Sequence, residues 1–241
     1  MQPMKMLVKA LGGSNAFGLN TPESDLDYRG VFVNTDPAKI LGLEKLEHVQ
    51  KQETDDIVYY EVRKFFELLK NGNTGALELL FTEEYLETSE LFEEVRANRF
   101  KFVDTDKMFR CLLGYMQGER RLANGERTGV LGGKRKLQLE KYGFSPKNFV
   151  QLFRLAWAGE TLFLKGYFPV NVKKEDAVFW AWLMDVKAKP ETHTKEELNL
   201  EVDKWEVKLK AAYDNRKFKY EFDYALANEM LRRAYLPYLL K

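Results

Sequence analysis

Apolar residues fall in short blocks over the first sixty residues of the chain, a pattern typical of strands. Strands are predicted at 6–11, 26–33 and 56–60, with a turn at Asp36-Pro37 and a short helix or loop before the third strand. After residue 61 the apolar residues recur every three or four positions instead. This change of period predicts a chain that begins with strands and continues as helices.

The helical part begins with a clear stripe formed by Val62, Phe65, Phe66 and Leu69. The helices predicted further along the chain span 108–117, 146–165, 174–186, 195–213 and 222–239. The pattern therefore predicts an α+β fold with two domains. The domain at 1–103 contains the strands, and the domain at 104–241 is all-helical.

The composition is that of an ordinary globular protein. The chain has 241 residues, of which 45% are hydrophobic, and a formal net charge of +1. The whole molecule therefore has no electrostatic reason to bind nucleic acid, and such binding would need a local basic patch. We also find no apolar run near the roughly 18 residues of a membrane span. We expect a cytoplasmic protein with no membrane contact, and the oligomeric state is not indicated.

One local basic patch does occur, at 132–147. It carries five cationic residues against Glu140 alone, and it begins with two glycines. One interpretation is a mobile loop that grips a triphosphate or a nucleic-acid backbone, in which Lys134 and Lys147 contact the nucleotide. The other is a solvated lysine-rich loop. The remaining cationic residues of the patch are Arg135, Lys136 and Lys141.

The most informative motif is a glycine turn directly after the first predicted strand. Gly12 and Gly13 follow the strand at 6–11, and glycine lets the backbone turn sharply and approach a ligand closely. Ser14 then offers a hydroxyl and a backbone N–H to a phosphate oxygen. Gly13 and Ser14 are therefore predicted to bind a nucleotide.

Two aspartates follow the turn and are separated by one residue. Asp25 and Asp27 are predicted to open the strand at 26–33, where residues two apart share a face of the sheet. Mg²⁺ usually binds one or two carboxylates together with substrate phosphates. Arg29 shares the same face and is expected to pair with an aspartate or reach a phosphate. This pattern indicates a site for a nucleoside triphosphate and magnesium.

Gly13-Ser14, followed by Ser24-Asp25-Leu26-Asp27 and Arg29-Gly30-Val31, resembles the signature of the DNA polymerase beta-type nucleotidyltransferase superfamily. The closest resemblance is to the predicted nucleotidyltransferases of bacteria and phages that are associated with RNA repair. The resemblance implies a small mixed β-sheet nucleotidyltransferase core with flanking helices, followed by an all-helical C-terminal domain.

Two further segments carry the same resemblance, each with a departure. Residues 60–81 are similar to a helix, a Lys-Gly-Asn-Pro turn and a second helix, although the proline is missing here. Residues 141–170 are similar to a Lys-Tyr-Gly segment that is followed by histidines and an arginine. Arg154 matches this pattern, but Asn148 and Gln151 stand where histidines are usual.

The resemblance also implies a third carboxylate that activates the acceptor hydroxyl. Asp56 is favoured for this role because its spacing to Tyr60 fits the family, while Asp55 and Glu61 remain alternatives. Asp25, Asp27 and Asp56 would then be catalytic and would hold two Mg²⁺ ions, with Mn²⁺ as a substitute.

The sequence therefore predicts a metal-dependent nucleotidyltransferase that moves a nucleoside monophosphate from an NTP to a hydroxyl acceptor and releases pyrophosphate. ATP is the favoured NTP, and an RNA end is the favoured acceptor. A small molecule or a protein side chain is the alternative acceptor. A catalytically silent nucleotide- or RNA-binding module is the alternative class, and the presence of both Asp25 and Asp27 argues against it.

Overall fold

A computed structural model of the chain describes residues 4–44, 46–52, 57–126 and 133–240. The chain forms two compact units: the first comprises Met1–Lys107 together with Tyr220–Lys241, and the second comprises Met108–Lys219. The sequence-based division assigned all of 104–241 to the helical domain. Residues 220–240 lie with the first unit instead, for a reason given below.

The described residues contain five strands and twelve α-helices. The strands are β1 (Met4–Leu11), β2 (Tyr28–Asn34), β3 (Val49–Gln52), β4 (Ile57–Glu61) and β5 (Glu87–Thr88). The helices are α1 (Gly13–Phe17), α2 (Pro37–Leu41), α3 (Val62–Lys70), α4 (Thr74–Phe81), α5 (Glu90–Ala97), α6 (Thr105–Ala123), α7 (Gly133–Tyr142), α8 (Pro146–Lys165), α9 (Val172–Glu175), α10 (Ala177–Ala188), α11 (Lys195–Asp214) and α12 (Tyr224–Leu239).

The strands form one mixed sheet in the order β3-β4-β2-β1-β5. β2 and β4 are parallel, whereas β1 pairs antiparallel with β2 and β5, and β3 pairs antiparallel with β4. The predicted α+β fold with a small mixed sheet is confirmed. The edge strands β3 and β5 were not predicted, because both are short and polar and are defined by their pairing rather than by an apolar pattern.

The core of the first unit lies between the sheet and helices α3, α5 and α12. Val31 of β2, Phe65 of α3, Phe92 of α5 and Met230 of α12 line one small internal cavity and are all buried. The apolar stripe predicted after residue 61 is this buried face of α3. α12 belongs to the first unit because its apolar face completes this core.

The second unit is organised around α8, which is buried over most of its length and packs against α10 and α11. Gly159 of α8 permits the close approach of α6 and α11, because a Cβ at that position would overlap the side chain of Leu112 in α6 and would lie 3.0 Å from Leu209 in α11. The helix predicted at 174–186 is two helices. Asp176 separates them and caps α10 by accepting a hydrogen bond from the N–H of Phe179 (2.9 Å).

Among the described residues, none of the helices combines the length and the apolar character that a bilayer crossing requires. The long helices of the second unit are instead amphipathic or carry charged residues. This finding agrees with the absence of a long apolar run in the sequence.

Candidate active site

The glycine turn and the aspartate segment are held together by two hydrogen bonds. The N–H of Gly12 donates to the carbonyl oxygen of Asp27 (2.8 Å), and the side-chain amide of Asn15 donates to the carbonyl oxygen of Asp25 (3.1 Å). Asn15 was not singled out in the sequence, although it directly follows Ser14. The two halves of the motif are therefore adjacent in the fold as well as in the sequence.

Gly13 and Asp27 approach each other more closely than any other residue type at position 13 would allow. Gly13 has φ of +56°, which is the left-handed region that favours glycine. A Cβ at this position would overlap Oδ2 of Asp27 and would lie 2.5 Å from its Cγ. The Asp27 carboxylate thus lies directly against the backbone of the turn, at the start of α1.

The aspartates themselves precede the strand that was predicted to contain them. β2 begins at Tyr28, which pairs with Leu11 at the end of β1. Beyond that pair β1 turns into the glycine segment, so the antiparallel ladder ends there. The strand was predicted to begin at residue 26, two residues too early. Asp25 lies before β2, so the alternation of side chains between the two faces of a strand does not explain its position. Asp25 is exposed and Asp27 is half-buried.

Arg29 lies within β2, opposite Ala10 of β1 and Val58 of β4. Its side chain runs over the turn, since a Cβ on Gly12 would lie 2.7 Å from Cγ of Arg29. Its guanidinium donates a hydrogen bond to the carbonyl oxygen of Tyr28 (3.1 Å). A cationic side chain therefore lies beside the turn, as the predicted phosphate-binding role requires.

The second matched segment also reaches this site, through Tyr60. Burial raises the pKa of Tyr60, and the positive charge of Arg29 opposes that rise. A Cβ on Gly75 would lie 3.6 Å from the Tyr60 hydroxyl and 3.4 Å from the side-chain oxygen of Asn73. Asn73 caps α4 by accepting a hydrogen bond from the N–H of Ala76 (3.0 Å).

Tyr60 is thus a neighbour of Arg29, and Asn73 lies beside Gly75 as the Tyr60 hydroxyl does; sequence reasoning assigned neither residue to the site. Tyr60 follows Val58 by two residues, so it shares the sheet face of Arg29, which lies opposite Val58. The available signal was the match of residues 60–81 to the family, which indicated a segment but no role for its residues.

The favoured third carboxylate, Asp56, and its alternative Asp55 lie outside the described residues. The strand that follows them begins at Ile57, which pairs with Tyr28, the residue directly after Asp27. Glu61 pairs with Phe32, four residues further along, which corresponds to about 13 Å at the rise of a strand. Glu61 therefore does not lie at the end of the sheet that carries Asp27.

Glu61 has a structural environment of its own. It is fully buried, and it accepts hydrogen bonds from the Tyr235 hydroxyl (2.7 Å) and from the N–H of Arg63 (2.8 Å). Burial raises the pKa of Glu61, and these hydrogen bonds limit the rise. Glu61 caps α3 and links it to α12, which accounts for its position without a catalytic role.

Asp25 and Asp27 are the two described residues that would hold a divalent cation. Within the described ranges, no cluster of three or more His, Cys, Asp or Glu side chains with metal-site geometry occurs. A nucleotide-bound Mg²⁺ needs only one or two carboxylates, because phosphates and water supply the other oxygens. The donor type and the close approach of Asp27 to a turn beside Arg29 fit such an ion.

The basic segment of the second unit is a helix and not a loop. Residues 133–142 form α7. It ends at Gly143 (φ +77°), whose N–H donates a hydrogen bond to the carbonyl oxygen of Leu139 (2.9 Å). The side chain of Lys134 lies outside the described set. Lys147 is exposed in the first turn of α8, and its charge, together with burial, lowers the pKa of Lys187.

The positions that depart from the family pattern form a polar cluster within the second unit. Asn148 is buried and donates a hydrogen bond to Glu119 (2.6 Å). Arg154 is fully buried and donates to the side-chain oxygen of Gln151 (3.2 Å). The amides of Asn148 and Gln151 link α8 to α6, because they donate to Glu119 and to the Tyr115 hydroxyl (3.4 Å) of that helix.

The chain resembles known proteins over most of its length. A relative from Enterobacteria phage T4, an uncharacterized 38.9 kDa protein encoded in the nrdC-mobD intergenic region, is 29% identical over 145 residues. That match covers 54% of this chain and 41% of the relative, so the chain spans well under half the length of the phage protein. Residues 1–233 match RlaP, the RNA repair pathway DNA polymerase beta family. The match spans nearly the whole chain, and the chain therefore belongs to the RNA repair pathway DNA polymerase beta family.

Proposed function

We propose that this protein transfers a nucleoside monophosphate from an NTP to a hydroxyl acceptor, with release of pyrophosphate. Membership of the family supports a nucleotidyltransferase-type function. The finer assignments belong to the proposal: ATP as the donor, magnesium as the cofactor, an RNA end as the acceptor and a cytoplasmic location.

The observation that carries the proposal is the contact between the Asp27 carboxylate and the backbone of Gly13. A carboxylate held against a glycine turn, with a guanidinium beside the same turn, brings a cation ligand and a phosphate ligand together. A module that only bound RNA would gain nothing from this arrangement, because RNA phosphates favour cationic side chains over carboxylates.

In the proposed reaction, Ser14 and the backbone of the turn bind the triphosphate, and Arg29 offsets its negative charge. The acceptor oxygen forms a bond to the α-phosphorus while the bond to the oxygen that bridges the α- and β-phosphorus atoms breaks. Pyrophosphate leaves, and Asp56 takes the proton of the acceptor hydroxyl. Magnesium held by Asp25 and Asp27 would supply charge neutralisation at the attacking and leaving oxygens.

The first experiment identifies the donor and the acceptor. The protein is incubated with Mg²⁺, each α-phosphate-labelled NTP in turn, and a panel that contains RNAs with a free terminal hydroxyl, RNAs with a blocked end, and no added acceptor. The proposal expects label on RNA with a free hydroxyl only. Label on the protein itself would move the acceptor to a side chain, and no transfer with any NTP would favour a silent binding module.

The second experiment concerns α7 and the start of α8. If Lys134, Arg135, Lys136 and Lys147 contact RNA, then neutralising them together weakens RNA binding and flattens its salt dependence, because fewer counterions are released. Weaker NTP binding without RNA would instead indicate a triphosphate role. A solvated surface would leave both titrations unchanged. A matched control neutralises four exposed lysines on other helices of the same unit, namely Lys173, Lys204, Lys208 and Lys210.

A further inference from the structure

The first unit carries an apolar groove that the proposed reaction does not use. The groove has a volume of about 700 Å³ and lies between α2, α3 and α12. Two leucines on its edge, Leu41 and Leu236, are 73% and 51% exposed. Large apolar side chains that are exposed side by side mark interaction sites on globular proteins.

The shape of the groove favours an elongated occupant. α12 lines it from Tyr224 to Leu239, fifteen residues apart, which corresponds to about 22 Å at the rise of an α-helix. Along this length Tyr224, Ala227, Leu231, Tyr235 and Leu239 recur at intervals of three or four residues on the groove side. Such a row of side chains is the surface against which a second helix packs.

The polar residues of the groove have a net positive charge. Arg63, Lys70 and Arg232 line it together with a single carboxylate, Glu67. One residue of each sign has a partner outside the groove: Glu67 lies 3.7 Å from Lys64, and Arg232 pairs with Glu229 of α12. The net positive charge of the lining therefore comes from Arg63 and Lys70. Arg63 lies over the ring of Tyr235, with its guanidinium carbon 5.7 Å from the ring centre. An occupant with carboxylates along the flanks of an apolar stripe would complement this charge.

We propose that this groove binds an amphipathic helix of about four turns from a partner protein, with apolar residues in the groove and acidic residues along its flanks. A compact small molecule would not fill a groove of this length. A basic helix would be repelled by the cationic residues that line it, Arg63, Lys70 and Arg232. The surface is formed by α2, α3 and α12, whereas the proposed chemistry involves α1 and the start of β2. The groove residues are therefore distinct from the residues of the proposed reaction.

The test is a selection from a displayed library of 18-residue helical peptides with apolar residues fixed at helical spacing and all other positions random. Peptides are selected on the wild-type protein and counter-selected on a double variant, Leu41→Glu with Leu236→Glu. The expected products carry Asp or Glu at the flanking positions. A representative product should bind the wild type saturably and the double variant at least tenfold more weakly.

Two further variants make the result specific. Lys70→Glu with Arg232→Glu should weaken binding of the acidic peptide at least fivefold and reduce its dependence on salt. A control with Leu200→Glu and Val207→Glu changes two residues of α11 that are 62% and 67% exposed, and it should bind like the wild type. All substituted groove positions are at the surface, and thermal unfolding of each variant confirms that it is folded.

Several outcomes would overturn the proposal. These are the absence of enriched peptides, enrichment of neutral or basic flanks, and equal weakening by the α11 control. Sedimentation velocity of the protein alone provides the remaining outcome. If the wild type is a dimer that the double variant at Leu41 and Leu236 converts to monomer, the groove is occupied by a second copy of this chain, and the partner helix is refuted.

Discussion

Replacement of Gly13 by alanine should impair the proposed nucleotidyl transfer at a small cost in stability. The backbone at φ of +56° costs an alanine about 1–2 kcal/mol in the folded state. The added Cβ also overlaps the Asp27 carboxylate, and ordinary contact distances begin near 3.4 Å, so the carboxylate has to retreat by more than an ångström. A misplacement of about 1 Å can lower turnover about 100-fold, which corresponds to about 2.7 kcal/mol in the activation barrier.

Gly143→Ala is the matched control for this prediction. Gly143 has φ of +77°, and a Cβ there would meet no atom within 4 Å. Both variants should therefore lose similar free energy of unfolding in urea titrations, but only Gly13→Ala should lose turnover in the labelled-NTP assay. If turnover of Gly13→Ala stays within about threefold of that of Gly143→Ala, the contact with Asp27 has no role in the reaction.

Three other expected outcomes follow from the same structure. Asp25→Ala and Asp27→Ala should each abolish transfer, and near wild-type transfer in saturating Mg²⁺ would refute the metal assignment. Because Asp25 is exposed, Asp25→Ala should change the free energy of unfolding by only about 0.5 kcal/mol. Ser14→Ala should raise KM for the NTP more than it lowers kcat, because it removes a contact made equally in the ground and transition states. Steady-state kinetics measures both constants, and a large fall in kcat with unchanged KM would contradict this prediction. Because burial raises the pKa of Glu61 above 4.5, the folded state retains a proton that the unfolded state releases, so the contribution of Glu61 to stability falls as pH rises from about 4.5. Glu61→Gln cannot ionise, so its stability relative to wild type should improve over that rise, and a pH-independent difference in urea titrations would contradict the assignment.

Local sequence signals were enough to predict α3, α8 and the glycine turn. The stripe from Val62 to Leu69 is the buried face of α3, and α8 spans the predicted residues 146–165. Gly12 and Gly13 occupy a turn at the end of β1, as their position after an apolar block indicated. These features depend on residues close in sequence, which is why periodicity and glycine placement predict them.

Features that depend on distant pairing were not predictable in this way. β2 begins at Tyr28 because its partner β1 ends at Leu11, and nothing in the residues before Tyr28 signals that limit. Glu61 looked like one of three acids near a strand, yet its role depends on the Tyr235 hydroxyl, 174 residues away. Long-range contacts of this kind follow from the fold and leave no local pattern in the sequence.

The proximity of Arg29 and Tyr60 has the same origin. Each residue lies in a segment that matched the family, but the parallel pairing of β2 and β4 brings Arg29 and Tyr60 onto one sheet face. The sequence therefore indicated the segments of the site more reliably than the residues within them. Asp25, Asp27 and Asp56 as metal ligands, and Lys134 and Lys147 as nucleotide ligands, remain predictions.

The most direct test of the central claim is a single reaction followed with two labels. ATP labelled at the α-phosphate or at the γ-phosphate is incubated with Mg²⁺ and an RNA that has a free terminal hydroxyl, using the wild type and Asp27→Asn. The account predicts that the wild type transfers the α-label to RNA and releases the γ-label as pyrophosphate, and that Asp27→Asn does neither. Transfer of the γ-label, or equal α-label transfer by both proteins, would contradict it.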